Sequence, residues 1–532
     1  MPRLKQSARP TPIAVVAIAV MAALITGCAP TSSDSASSDS AATSSEPVAG
    51  GTVVYARAAT VTSLDLHNQI TANNAFAIDK IFEPLLAFDA DGAIIPWLAE
   101  DYTVSEDALT YTFTLREGVL FSDGSALDAS DVVFSLNRHL DVGGPVPLTA
   151  PISSITATDD RTVEIVLDSP FTVFIAELAG FSNGVIPEDF GGLTEEAFFE
   201  KPIGTGPFSV QEWDPDGDLV FTKNENYWQE GKPYIDSLVY RFIADGTQAL
   251  QQLQAGQVQA IETVPVSNVT DLKANSSVTV VQSGSWVIEQ LFFNTKNRYF
   301  SDPKVRRALA MAIDREGLTA ATTFGTAEVA DALVPPTITY SGQGVIEALE
   351  FDLDAAAQEL AASSYPDGFD ATLLIASGNA LRAQEAQIIQ AAAAKIGITL
   401  SIESIDLAAF RERFFAYDFD LMINSGQSTS PDPDSLVSFQ ADPAGFSRGY
   451  WTQYSNDEVT RLIQLGRVTP DGDEREKIYR DIQQILADEV PYVPLFYPSA
   501  IKASSSALKN LTVLPNDSIR FQDAWLEGAA AG

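Results

Sequence analysis

Residues 97–140 read WLAEDYTVSEDALTYTFTLREGVLFSDGSALDASDVVFSLNRHL. Three pieces stand there in order. Thr110-Tyr-Thr-Phe-Thr-Leu115 alternates its side chains at period two and consists of strong strand formers, which predicts a half-buried strand. Glu117-Gly118 ends it, and Phe121-Ser-Asp-Gly124 supplies a turn, because Asp-Gly tolerates positive φ. Asp128-Ala-Ser-Asp131 then opens a helix, with Asp128 set to cap the free N–H groups and Asp131 in the first turn, where negative charge is favoured. Val132, Val133, Leu136 and Leu140 give that helix one apolar face.

Around this block lie 532 residues, too many for one core, so two or more lobes are expected. A hydrophobic content of 45% and a charged fraction of 19% are ordinary for a globular chain. The formal net charge of −39 argues against nucleic acid and against electrostatic docking on anionic lipid. The amino terminus carries an address. Arg3, Lys5 and Arg9 form a basic region, and 13–25 is an apolar run too short for a membrane span. Ile25-Thr-Gly-Cys28 follows and resembles the lipobox of bacterial lipoproteins. That resemblance implies a signal peptide over 1–27 and a lipid-modified Cys28. Cys28 is the only cysteine, which excludes an intrachain disulfide and a cysteine-based metal site. Residues 28–49, rich in Ser, Ala and Thr, read as a flexible tether.

Farther along, 52–57 predicts a first strand and 75–82 a short helix leaving through Glu83-Pro-Leu-Leu86. Residues 163–167 and 171–178 continue a smaller α+β region. Pro202-Ile-Gly-Thr-Gly-Pro-Phe208 has two glycines at G-x-G spacing, but Ser209 takes the third position of a nucleotide loop, so a tight turn is expected. Asp302-Pro303 starts a helix, with Val305, Leu309 and Ala312 at helical spacing. Strands at 372–375 and 399–405 alternate with helices at 354–362 and 381–396, which predicts a second α/β lobe. A strand over 419–423 feeds a polar loop, 424–434. An amphipathic helix over 474–487 and a strand over 491–497 close the lobe. The two histidines, His67 and His139, have no metal-binding spacing such as H-E-x-x-H, and no P-loop occurs.

Several of these strings resemble the family 5 extracellular solute-binding proteins, the dipeptide, oligopeptide and nickel receptors of bacterial ABC importers. They are the opening block, Ser63-Leu-Asp-Leu-His67, Pro202–Phe208, Asn224-Glu-Asn-Tyr-Trp228 with Gly231-Lys-Pro-Tyr234, and 302–315. Ser122 stands where His is common, Ala126 and Leu66 where Pro is common, and Asp101-Tyr102 replaces an aromatic pair. The resemblance implies an α/β, two-lobed type II periplasmic-binding-protein fold with an additional inserted α+β domain. Lobe I is then expected over 50–72, 202–285 and 498–532, the insert over 73–201 and lobe II over 286–497, with hinge crossings near 285 and 497. It further implies a monomeric, lipid-anchored receptor on the outer face of the cytoplasmic membrane. Such a receptor takes a solute between its lobes and hands it to a permease, without cofactor, metal or catalysis.

For the ligand, the resemblance puts Ile70, Thr71 and Ala72 in the segment that lines the site. Peptide binders of the family hold the ammonium with an Asp four residues before the Pro of a D-P element. Aligning that Pro with Pro433 puts Thr429 there, so the acid is absent. Asp432 or Asp434 is the substitute for an oligopeptide, with Gln427 in the same loop, and an oligosaccharide or other neutral solute is the alternative. Trp286, Trp451 and Tyr454 are candidate stacking surfaces or core residues. From another class, paired acids such as Asp432 and Asp434 are compatible with a surface-tethered glycan hydrolase.

Overall fold

In the computed structural model, which describes residues 46–68, 71–144, 146, 148–443 and 452–528, Thr110–Leu115 is a strand that alternates half-buried and buried side chains. It lies second in a four-stranded antiparallel sheet, between Ala99–Val104 and Thr162–Leu167, with Ile152–Asp159 at the far edge. The helix Ala129–Val142 begins where its cap signals put it. The Asp128 carboxylate accepts from the Ser130 N–H at 2.8 Å, and the Asp131 carboxylate accepts from the Asp128 N–H at 2.9 Å. Phe113, Leu115, Val132 and Leu136 are buried in one core, as the two periodicities require.

Glu83 explains why separate motif strings travel together. Its buried carboxylate accepts from Trp97 Nε1 at 2.8 Å and from Trp228 Nε1, Tyr227 Oη and Thr205 Oγ1, each at 3.0 Å. The opening block, the Pro202–Phe208 string and the Asn224–Trp228 string thus converge on one acid. The Gly204-Thr-Gly206 turn is needed for close approach. Gly206 N–H donates to Ile81 O at 2.8 Å, and a Cβ on Gly204 would lie 2.0 Å from that same oxygen. The glycines bring two backbones together and cradle no phosphate.

Two larger sheets carry the rest. A seven-stranded sheet has Thr52–Arg57 at its centre, parallel to Ser237–Phe242 and Ala260–Ile261, with Val278–Ser283 and Ala500–Ser505 at one side. A six-stranded sheet contains Val287–Phe293, flanked by Tyr492–Pro498 and Leu421–Gln427, and then the parallel strands Phe369–Ala376 and Ile398–Ile405. The chain passes between them twice, after Ser283 and after Pro498. From Pro47 onward the chain is one compact unit.

Register fixes how the sheets present themselves. Ile261 pairs with Ala503, and Ser283 pairs with Ala500 farther in the same direction, so the crossing leaves the first sheet at the carboxyl ends of its parallel strands. Val287 pairs with Gln427, the carboxyl end of its strand, so the crossing enters the second sheet at the equivalent edge. The two carboxyl edges therefore meet across the crossings.

Two expectations are corrected. The short helix is Ala72–Ile78, three residues earlier than expected, because Thr71 caps it by accepting from Asn74 N–H. The polar loop ends early: the strand continues to Gln427, and Asp432 caps a helix, Pro433–Ala441. Asp432-Pro433 is the same start signal as Asp302-Pro303, which caps Pro303–Ala312.

Candidate functional site

Ligands of open α/β sheets bind outside the carboxyl ends of the strands. Here two such ends face each other across the two crossings. Beside the first crossing, Trp286 N–H donates to Pro515 O at 2.9 Å and Gln427 Nε2 donates to Asn516 O at 3.1 Å, both acceptors lying in the turn between Thr512–Val513 and Ile519–Arg520.

The wall on the first sheet is built from the end of Thr52–Arg57. The Arg57 guanidinium donates to Glu262 at 2.8 and 3.1 Å and to the Asn73 carbonyl and side-chain oxygens at 3.0 and 3.2 Å. Burial alone pushes the Glu262 carboxyl up, but Arg57 and Lys502 outweigh it and hold it below the usual range. Lys502 in turn pairs with Asp517 at 2.7 Å. This wall is charged but internally matched.

The wall on the second sheet differs. Glu289 on Val287–Phe293 faces the sixteen-residue helix Ala380–Lys395, whose first turn carries Arg382. Arg382 donates to Glu289 at 2.6 and 3.2 Å and to Ser425 Oγ at 3.1 Å. One turn farther on lies Glu385, fully buried, with neither carboxyl oxygen hydrogen-bonded. Burial, then the Glu289 charge, push its carboxyl up to about 9 although Arg382 pulls it down, so it carries a proton at neutral pH. Among the described residues, this cluster brings two acids to one base.

Residues 93–448 match the model of the bacterial extracellular solute-binding proteins, family 5 (middle). The chain belongs to this family. The glutathione-binding protein GsiB of Salmonella paratyphi A is 30% identical over 494 residues, which cover 90% of this chain and 95% of GsiB. The periplasmic binding protein DppA from Helicobacter pylori, solved with the peptide STSA, shares the fold at a TM-score of 0.81 and 28% identity, over 90% of this chain and 99% of that one. The oligopeptide-binding protein AppA from Bacillus subtilis, solved with a nonapeptide, gives 0.78 and 26%, over 90% and 100%. The fold is thus the two-lobed α/β one of this family. The family 5 protein is an extracellular or periplasmic solute-binding receptor of an ABC importer, a binding protein rather than an enzyme. Among its described residues, no helix is long and apolar enough to cross a membrane.

Within this receptor the residues singled out from sequence have different places. Thr71 is a helix cap and Ala72 begins that helix, whereas Cys28, Ile70 and Trp451 lie outside the described residues. Gln427 is exposed and reaches Asn516, and Thr429 is exposed with its hydroxyl 2.8 Å from Ser435 Oγ. Asp432 and Asp434 are paired inside the lobe. Asp432 takes Arg475 at 2.8 and 3.0 Å, and Asp434 takes Arg467 at 3.1 Å and Tyr479 Oη at 3.0 Å. Each carboxylate is already engaged by an arginine of the same chain, Asp432 by the buried Arg475 and Asp434 by the half-buried Arg467. Trp286 is fully buried, edge-on to Phe88, and Tyr454 is buried with its hydroxyl donating to Glu489 at 2.7 Å. Both are core residues here and offer no stacking face.

Glu289, Arg382 and Glu385 escaped the sequence reading, whereas Ser425 fell within the expected polar loop, 424–434. Arg382 lies 93 residues from Glu289, and each looks like an ordinary strand or helix residue in its own context. The spacing Gly180-Phe-Ser-Asn-Gly184 matches a G-x-S-x-G elbow, against the expectation that no such spacing occurs in this sequence. Its Ser182 sits buried in a 3-10 turn, Phe181–Asn183, not on a strand-to-helix elbow, and His139 hydrogen-bonds Asn183 rather than the serine. His67 and His139 stack at 4.7 Å, and burial, His139 and Arg138 hold His67 down at about 3, so His67 stays neutral.

Proposed function

We propose that this receptor is lipid-anchored through Cys28 and takes up a short peptide, closing on it between lobes of residues 50–72, 202–285 and 498–532 on one side and 286–497 on the other. Residues 73–201 form the inserted domain on the first lobe. One observation carries the reading: the carboxyl edges of two sheets meet across only two chain crossings, an arrangement that hinges. GsiB, DppA and AppA, named or solved with glutathione, STSA and a nonapeptide, favour a peptide. The oligosaccharide reading loses support, since Trp286 and Tyr454 have no free ring face.

The test is a thermal-shift panel of glutathione, tri- and tetrapeptides and maltotriose, followed by small-angle scattering. A peptide at about a hundred times its Kd stabilises the folded receptor by about 2.7 kcal/mol and shrinks its radius. Stabilisation by the sugar alone, or tight binding without compaction, goes against the reading. Separately, Cys28→Ser is expected to move the protein from the membrane fraction to the medium or soluble envelope fraction. Unchanged membrane association defeats the anchor.

A further inference from the structure

An ammonium ligand needs an acid in the second lobe's wall. Position 429 supplies a threonine, and Asp432 and Asp434 are each held by an arginine of the same chain. Beside the carboxyl edge of that sheet, Arg382 is the base that Glu289 and Glu385 share among the described residues, and both oxygens of the fully buried Glu385 lack a hydrogen bond. A buried carboxyl without hydrogen-bond partners is costly, and such a group in a native fold calls for a functional explanation. Arg382 is the more exposed member of the pair, its side chain 14% exposed against 7% for Glu289. We propose that Glu289, Glu385, Arg382 and Ser425 form the subsite that receives the ammonium end of the solute. This rests on the peptide reading above.

The charges balance. Before binding, the site holds Glu289 as carboxylate, Arg382 as guanidinium and Glu385 as neutral acid. When the ammonium enters, Arg382 turns toward the crevice and Glu385 gives its proton to solvent. Two carboxylates then face two cations, and the site remains neutral. Among the described residues, the neighbouring charges do not supply that balance. On the helices packed beside Ala380–Lys395, Arg306 and Arg315 bond backbone carbonyls, Arg307 pairs with Glu359, Lys304 bonds Ala362 O and Glu316 lies in a first turn. On the adjoining strands, Glu403 pairs with Arg413, and Asp370 lies at the far, amino-terminal end of Phe369–Ala376.

Binding is therefore linked to proton release. A cation that displaces one proton binds up to about tenfold more tightly per pH unit while the acid starts protonated. Calorimetry of the full receptor with trialanine and N-acetyl-trialanine, in buffers of different ionisation enthalpy between pH 5.5 and 7, reads this directly. The wild type is expected to release close to one proton per trialanine, to gain affinity with pH, and to bind the acetylated peptide at least tenfold more weakly. Glu385→Gln has the shape of the protonated acid and keeps the fold, which its melting curve checks. It is expected to release no proton, lose the pH slope and bind trialanine about tenfold more weakly. Equal binding of both peptides, or the wild-type proton count in Glu385→Gln, overturns the subsite while leaving the peptide reading intact. Binding of neither peptide, nor of glutathione, overturns the peptide reading and the subsite with it.

Discussion

Glu83→Ala is expected to destabilise the receptor by about 4 kcal/mol, because two buried hydroxyls and two half-buried indole N–H groups lose their acceptor and each buried orphan costs about 1–3 kcal/mol. The hydroxyls of Tyr227 and Thr205 can rotate, but the two indole N–H groups cannot accept, so the loss is not recovered by local rearrangement. Glu83→Gln should cost less. It keeps the volume and one oxygen, and sets its amide N–H against the remaining donors. The acid also makes stability depend on pH. Burial pushes its carboxyl up to about 7 even though Trp97, Trp228, Tyr227 and Thr205 all pull it down. A raised carboxyl favours the folded state fully below the unfolded value of about 4.5, and that contribution is lost as pH rises through about 7. Denaturant titrations at pH 4.5 and 8 should therefore differ by up to about 3 kcal/mol more in wild type than in Glu83→Gln. An Ala variant within about 1 kcal/mol of wild type would show that Glu83 is no hub.

Arg475→Met should be nearly as damaging, at about 3–5 kcal/mol, because it leaves a buried carboxylate without its cation. Arg475 is 1% exposed at its side chain, grips Asp432 with two nitrogens, and also donates to Gly466 O at 2.8 Å. Asp432→Asn is expected to destabilise as well, but to leave the discrimination between free and N-acetylated peptide as it is in wild type. That combination separates a structural acid from a ligand anchor. If Asp432→Asn abolishes the discrimination while the melting curve is unmoved, Asp432 is the anchor and the Glu289–Glu385 site is not.

These two variants also mark where the sequence stops being readable. The block 97–140 declared its strand, turn and capped helix because each signal is local: alternation, an Asp-Gly turn and an Asp-x-x-Asp cap all act within a few residues. The family pattern was legible for the same reason, being carried by contiguous strings. The helix start at Asp432 is an equally local signal. Asp432-Pro433 is a helix start like Asp302-Pro303, yet it stood in a stretch expected to be a ligand loop.

Pairings across long separations had no local trace. Glu83 reaches Thr205 across 122 residues and Trp228 across 145, Asp432 meets Arg475 across 43, and Glu289 meets Arg382 across 93. A carboxylate's role depends on which cation the fold brings within about 3 Å and on how much water remains around it, and neither is written in its neighbours along the chain. By itself the sequence determined the elements, the two-lobed class and the likeness to solute receptors. Only the tertiary structure decided which acids meet an arginine and which, like Glu385, are buried without a hydrogen bond.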